Sequence, residues 1–86
     1  MYRILFSKKA EKHKTLLKQS GLDKKTKMLL DCIAINPFKN PPPYEKLIGD
    51  FKGAFSRRIN VQHHLVYMVD EKKREIFILS MWTHYE

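Results

Sequence analysis

The first half of the chain has the hydrophobic pattern of one short strand followed by two helices. Residues 2–6 are bulky apolar or aromatic side chains around a single arginine, which is typical of a strand. Ser7 is a suitable N-cap for a helix that runs to about Ser20, with Gly21 just beyond its end. The apolar positions of this helix form a thin stripe: Ala10, Leu16 and Leu17.

A second, broader apolar stripe predicts a helix over residues 22–36. Pro37 ends this helix, because proline disfavours helical backbone at the preceding residue and has no amide N–H to continue the ladder. Two helices joined at one glycine predict an antiparallel helical hairpin. The second stripe consists of Leu22, Met28, Leu29, Leu30, Ile33 and Ile35.

The second half of the chain predicts strands. The proline-rich connector at residues 38–43 is predicted to be extended and stiff, and residues 44–52 are either a loop or a short irregular strand. Beyond them, strand-like apolar runs are separated by polar turns. The three predicted strands are residues 54–60, 63–69 and 75–83.

The element order β-α-α-β-β-β predicts a single α+β domain over residues 1–86. In this domain an N-terminal strand and a helical hairpin pack on a small antiparallel sheet. Consecutive strands with short connections pair antiparallel, and the helices bury their stripes against one face of the sheet. We expect the other face to stay open, as a shallow concave surface on which a ligand can lie.

Strand alternation assigns the two adjacent arginines to opposite faces. Phe55, Arg57 and Ile59 share the apolar side of their strand, so Arg58 points toward the open face. Arg57 is then a misfit on the apolar side. We expect it to escape at a sheet edge or to pair with an acid.

The net charge of +8 is concentrated in the first third of the chain. Residues 1–30 carry nine basic and two acidic side chains, whereas residues 31–86 carry eight basic and seven acidic ones. This asymmetry favours nucleic acid as a partner, with an acidic protein next; a solvated helix face without a partner is the alternative.

The composition indicates a cytoplasmic protein, and we expect no cofactor. There is one cysteine, Cys32, no apolar run of eighteen residues and no signal-peptide pattern. His63, His64 and His84 lack the spacing of a metal site, so we expect no bound metal.

Four blocks in the second half form a specific combination. They are Glu45-Lys46-Leu47, then Gly53-x-Phe55-Ser56-Arg57-Arg58-Ile59, then His63-x-Leu65-Val66-Tyr67, and finally His84-Tyr85. This combination resembles the YoeB/Txe branch of the RelE/ParE toxin superfamily. The resemblance covers most of the chain in length and element order, and its specific part is residues 45–85.

The resemblance implies a toxin of a bacterial type II toxin–antitoxin pair, with the RelE-like microbial RNase fold. Toxins of this branch are ribosome-dependent, metal-independent mRNA endoribonucleases that inhibit translation. The implied partners are a cognate acidic antitoxin and mRNA on the ribosome, with contacts to ribosomal RNA. A membrane partner is not expected, and a homodimer is left open.

The resemblance also carries the family's catalytic roles onto Glu45, Arg58, His84 and Tyr85. Attack of a 2′-hydroxyl on the adjacent phosphate needs a base, an acid and a cation. Glu45 is the expected base if the fold buries it in part, and His84 is the expected acid. Arg58 is expected to hold the phosphate, and Tyr85 to stack on a base or orient the nucleotide.

Two departures from the family pattern each remove a permanent cation. His64 stands where the family usually has arginine, and Ile48 stands where it usually has lysine. We therefore keep His64 as a catalytic candidate and expect Lys46 and Lys52 to compensate only in part. The complete set of expected RNA- or ribosome-binding residues is Lys8, Lys9, Lys12, Lys46, Lys52 and Arg57.

Three rival functions stay open on the sequence alone. The first is a toxin of the same fold that poisons DNA gyrase without chemistry. The second is a basic RNA-binding module, and the third is a degenerate toxin that has lost activity through the changes at His64 and Ile48.

Overall fold

Short helices and strands follow one another along residues 1–82, the part of the chain that the computed structural model describes. The predictions for His84 and Tyr85 lie outside these described residues. The elements in chain order are β1 (Arg3–Phe6), α1 (Lys8–Gln19), α2 (Asp23–Ile35), β2 (Glu45–Lys46), a 3₁₀ turn (Gly49–Phe51), β3 (Ala54–Arg58), β4 (His64–Asp70) and β5 (Glu75–Ser80).

The predicted helical hairpin is confirmed. The Ser7 hydroxyl oxygen accepts a hydrogen bond from the amide of Ala10 at 3.0 Å, as an N-cap does. Gly21, between the helices, has a φ of 76°, a conformation that glycine adopts without steric cost. The α2 helix ends at Ile35, two residues before Pro37.

The buried face of α1 differs in part from the predicted stripe. Its buried residues are Ala10, His13 and Leu17, spaced by three and four positions as one helix face requires. Leu16 lies off this face and is 37% exposed. The buried face therefore contains His13, which the predicted stripe left out, and excludes Leu16, which the stripe included.

The two helices cover one face of a five-stranded sheet with the strand order β1-β5-β4-β3-β2. The consecutive strands β2 to β5 pair antiparallel, as predicted. The first strand joins them at the edge by pairing in parallel with β5. Parallel pairing requires a long crossover connection, which the chain between β1 and β5 supplies.

The strands β3 and β5 are shorter than predicted. After β3 the chain turns tightly, and the Asn60 side-chain oxygen accepts hydrogen bonds from the amides of Gln62 and His63. In β5 the register shifts by one residue, because Tyr67 faces Ile78 whereas the preceding Val66 faces Ser80. This bulge comes just before the strand ends.

The prediction of an extended proline connector is wrong. The carbonyl oxygens of Pro37 and Pro42 both accept hydrogen bonds from the single guanidinium of Arg57. An extended segment of five residues would hold these two carbonyls about 15 Å apart. The connector is therefore wrapped around the arginine.

The prediction that the face opposite the helices is open is confirmed only in part, because Leu47 and Phe51 pack against Ala54 and Val66 on this face. The character of this face also changes along the strands. Leu5, Phe77, Met68 and Ala54 are register partners across four strands, and the first three of them are partly exposed. Toward the other end of the strands this apolar row gives way to polar side chains. Within residues 1–82, no helix has the length and apolar character that crossing a membrane requires.

Candidate active site

A cleft of about 210 Å³ lies on the open face where β2, β3 and β4 meet. It is lined by Pro43, Tyr44, Glu45, Ser56, Arg58 and His64. Three of the predicted catalytic residues, Glu45, Arg58 and His64, thus share one cleft. They come from three different strands and from positions up to nineteen residues apart in the sequence.

The strand register explains why these side chains meet. Glu45 is the register partner of Ser56, and Arg58 is the register partner of His64. Since side chains alternate along a strand, Ser56 and Arg58 leave β3 on the same face. The sheet thereby presents one carboxylate, one guanidinium and one imidazole to the same volume.

The burial that was expected for Glu45 is not found. Both residues of β2 are exposed, as is Arg58, whereas His64 is half-buried. The physical reason is that β2 is only two residues long and forms the edge of the sheet. An exposed carboxylate and an exposed guanidinium leave the cleft open to a large anionic ligand.

Two predictions for Arg57 are wrong. It lies neither at a sheet edge nor beside an acid, and its burial makes it unavailable to bind RNA. Its side chain is 1% exposed. The guanidinium donates hydrogen bonds to the carbonyls of Pro37, Lys39 and Pro42 at 3.1, 2.8 and 2.6 Å, and its Nε donates to the Tyr67 hydroxyl at 3.0 Å. Four acceptors compensate for removing this charge from water.

The buried Arg57 side chain holds the connector and Tyr44, which adjoin the cleft. Its hydrogen bonds fix the connector that runs into β2, and its guanidinium carbon lies 5.0 Å from the ring centre of Tyr44. The Tyr44 ring also contacts Phe55 edge-on, with 5.8 Å between the ring centres. Tyr44 immediately precedes Glu45, so these contacts set the position from which the carboxylate enters the cleft.

Lys46 and Lys52 do not line the cleft that contains Glu45. They line a separate groove of about 610 Å³ together with Ile48, which is 85% exposed. Lys46 lies on the other face from Glu45 because neighbouring residues of a strand alternate. The two lysines thus lie beside Ile48, the position of one missing cation, but not in the cleft that contains His64, the position of the other.

The predicted lysines of α1 are exposed. Lys8, Lys9 and Lys12 all occupy the first two turns of this helix. The helix begins beside the end of β5, since the Ser7 hydroxyl donates a hydrogen bond to the carbonyl of Leu79 at 2.8 Å.

The end of β5 lies next to the start of β4, at the same end of the sheet as Arg58 and His64. The ring of His63 stacks on Trp82, with 3.8 Å between centres and 18° between planes. The chain therefore continues toward residues 83–86 from this end of the sheet. The positions of His84 and Tyr85 themselves lie outside the described residues.

Sequence reasoning missed His13. Its Nδ1 accepts a hydrogen bond from the amide of Met81 at 3.0 Å, and its ring is buried. Burial lowers the pKa of His13, and electrostatic interactions with Lys9 and His63 lower it further. The available signal was the spacing of His13 from Ala10 and Leu17, which places all three on one helix face. Within residues 1–82, no group of three histidine, cysteine or acidic residues is arranged to hold a metal.

Comparison with known proteins finds one family and several close structural relatives. A family model described as the YoeB-like toxin of bacterial type II toxin–antitoxin systems matches residues 7–85. Toxin YoeB from Synechocystis sp. is 36% identical over 63 residues, which is 73% of this chain and 71% of that protein.

Two solved structures from Staphylococcus aureus are similar over nearly the whole chain. One is a heterotetrameric YoeB–YefM toxin–antitoxin complex, with a TM-score of 0.82, 35% identity and 99% of each chain covered. The other is a YoeB dimer, with a TM-score of 0.82, 36% identity and 98% of each chain covered.

Proposed function

The chain belongs to the family of YoeB-like toxins of bacterial type II toxin–antitoxin systems, and from this premise we propose that it is a ribosome-dependent mRNA endoribonuclease. The observation that carries the proposal is the meeting of Glu45, Arg58 and His64 in one open cleft. This combination offers a base and cations, two of the three kinds of group that cleavage of RNA by its own 2′-hydroxyl requires; the third, an acid, is assigned to His84.

In the proposed reaction, Glu45 takes the proton of a ribose 2′-hydroxyl. The resulting oxygen attacks the adjacent phosphorus, and the bond to the 5′-oxygen of the next nucleotide breaks. Arg58 holds the phosphate oxygens, with a protonated His64 as a second cation. His84 gives a proton to the leaving 5′-oxygen, and Tyr85 stacks on a base. The products are a 2′,3′-cyclic phosphate and a 5′-hydroxyl.

The ribosome completes the site in this proposal. Both Glu45 and Arg58 are exposed, so the cleft by itself does little to exclude water or to hold the message. Binding in the decoding site would fix the message in line for attack, which can contribute several kcal/mol through orientation alone. The exposed lysines of α1 supply attraction to ribosomal RNA that weakens as salt is added.

The proposed partner that controls the toxin is an acidic antitoxin. The net charge of +8 favours a protein of opposite charge, and the Staphylococcus aureus relative forms a complex with YefM. The dimer of that relative makes a homodimer a second assembly to test. A reaction on translating ribosomes would take place in the cytoplasm.

A translation reaction with purified protein tests the proposal, with cuts in the mRNA mapped by primer extension. We expect codon-phased cuts, and we expect Glu45→Gln to slow them by about 10²–10⁴-fold while ribosome binding is kept. Asp50→Asn is the matched control, because it removes an exposed carboxylate outside the cleft and should cut like the unmodified protein.

One result would contradict this function, and another would contradict the role of Glu45. If the unmodified protein makes no cuts but alters plasmid topology, the gyrase poison is the correct alternative. If Glu45→Gln cuts at the unmodified rate, the carboxylate is not the base.

A further inference from the structure

The last described residues after β5 are held by side chains of α1 and of the loop before β4. The ladder of β5 ends at Ser80, yet the amide of the next residue, Met81, donates a hydrogen bond to Nδ1 of His13. Trp82 then stacks on the ring of His63. Beyond the last hydrogen bond of the sheet, the chain is thus held by two imidazole rings, one through a hydrogen bond and the other through stacking.

The contact between His13 and Met81 is protected from solvent. His13 is 8% exposed and Met81 is 1% exposed, and Met81 belongs to the main core cluster. Leaving a buried amide without an acceptor is unfavourable, so this hydrogen bond fixes the path of the backbone at Met81.

Resting on the proposed function, we propose that His13 is a positioning residue for the nuclease: its neutral imidazole anchors Met81 and so directs the chain into the segment that carries His84 and Tyr85. His84 follows Met81 by three residues in the sequence. His13 touches neither message nor phosphate in this proposal. It acts only through the backbone to which it is bonded.

The anchor depends on the protonation state of His13. A neutral imidazole with its proton on Nε2 offers Nδ1 as an acceptor, whereas the protonated ring is a donor at both nitrogens and opposes the Met81 N–H. Burial first, and then Lys9 and His63, lower the pKa of His13 and favour the accepting form near neutral pH. Met81 and Trp82, which the end of β5 brings to this site, carry no charge. The anchor should therefore open as the solution becomes acidic.

The structural half of this proposal is tested by NMR, without reference to activity. We expect the amide proton shift of Met81 to titrate as the pH is lowered below about 6.5 in the unmodified protein. His13→Asn keeps an acceptor near the position of Nδ1 but cannot titrate, so the Met81 shift should become independent of pH. An unchanged Met81 titration in His13→Asn would overturn the anchor.

The functional half compares cleavage by His13→Leu and His13→Asn in the translation reaction. We expect His13→Leu to lose activity by up to about 10²-fold, the cost of misplacing a catalytic group by roughly 1 Å, while ribosome binding is kept. His13→Asn should restore most of the rate and should retain more of it at acidic pH than the unmodified protein does.

The outcomes separate the two proposals. Equal cleavage by His13→Leu and the unmodified protein would overturn the positioning role while leaving the nuclease intact. If the unmodified protein makes no cuts at all, the proposed function fails, whereas the Met81 titration still decides whether the anchor exists. Should His13→Leu not fold, the different pH profiles expected for His13→Asn and the unmodified protein carry the test.

Discussion

Arg57 and Arg58 are neighbours on β3 whose side chains leave opposite faces of the sheet. Arg57 is buried among four acceptors behind the cleft, whereas Arg58 is exposed inside it. The same chemical group thus organises the fold on one face and faces a ligand on the other. The difference arises from strand alternation and from the wrapped connector, which supplies carbonyl acceptors on one face only.

The largest expected effect is on the open face. Arg58→Ala should reduce mRNA cleavage by about 10²–10³-fold, because a preorganised donor to the reacting phosphate is lost. Its free energy of unfolding should change by less than about 0.5 kcal/mol, as for other exposed positions. Cleavage rates and urea unfolding curves check both halves. Cleavage at the unmodified rate would remove Arg58 from the site.

On the face covered by the helices and the connector, where Arg57 is buried, we expect substitution to reduce stability. Arg57→Leu removes the donor to the carbonyls of Lys39 and Pro42, and it removes one of the two donors to the Pro37 carbonyl, which keeps the Tyr67 hydroxyl. It should lower the free energy of unfolding by about 3 kcal/mol or more. Arg58→Leu, the matched control, should unfold at nearly the original urea concentration. Equal unfolding midpoints for the two variants would mean that burial does not distinguish the two arginines.

The Tyr67 hydroxyl belongs to the same buried hydrogen-bond network as Arg57. Its hydroxyl accepts from Arg57 and donates to the Pro37 carbonyl at 2.8 Å, so Tyr67→Phe should cost about 1–2 kcal/mol. Burial raises the pKa of Tyr67, although the hydrogen bond from Arg57 opposes the rise. The stabilisation is therefore complete below about pH 10 and is lost as the pH rises through the raised pKa of the folded state. The unfolding free energy of Tyr67→Phe should lack this alkaline component.

The smallest expected effect concerns His64, which shares the open cleft with Arg58. If a protonated His64 assists the phosphate, cleavage should fall as the pH rises and the imidazole loses its proton. His64→Arg should flatten that dependence, because arginine stays charged. Cleavage rates of the unmodified protein and of His64→Arg, measured from acidic to alkaline pH, test this prediction. A profile that His64→Arg leaves unaltered would assign His64 a structural role.

The sequence was sufficient for the features that depend on local patterns. The helix ends were predicted from Ser7, Gly21 and Pro37, and strand alternation placed Arg58 on the open face. These signals are readable because helix caps, helix breakers and strand periodicity act within a few residues. The motif blocks also predicted that Glu45, Arg58 and His64 belong together, which the shared cleft supports.

The features that escaped prediction depend on partners that are distant in the sequence. The carbonyl acceptors of Arg57 lie fifteen to twenty residues before it, and the partner of His13 lies 68 residues after it. No periodicity signals such pairs. The bulge before the end of β5 and the edge position of β2, which exposes Glu45, likewise depend on the assembled sheet.

The parallel pairing of β1 with β5 has a consequence for how the molecule forms. Arg3 and Glu75, which are register partners, are 72 residues apart, whereas the turns that join β3, β4 and β5 are short. Short-range hairpins form early. The pairing of β1 with β5 comes later, because β5 must first be synthesised and the long segment between the two strands must be ordered. The strands that hold the cleft can thus pair before the first strand finds its place beside the last. The sheet is therefore complete only after β5 has been synthesised.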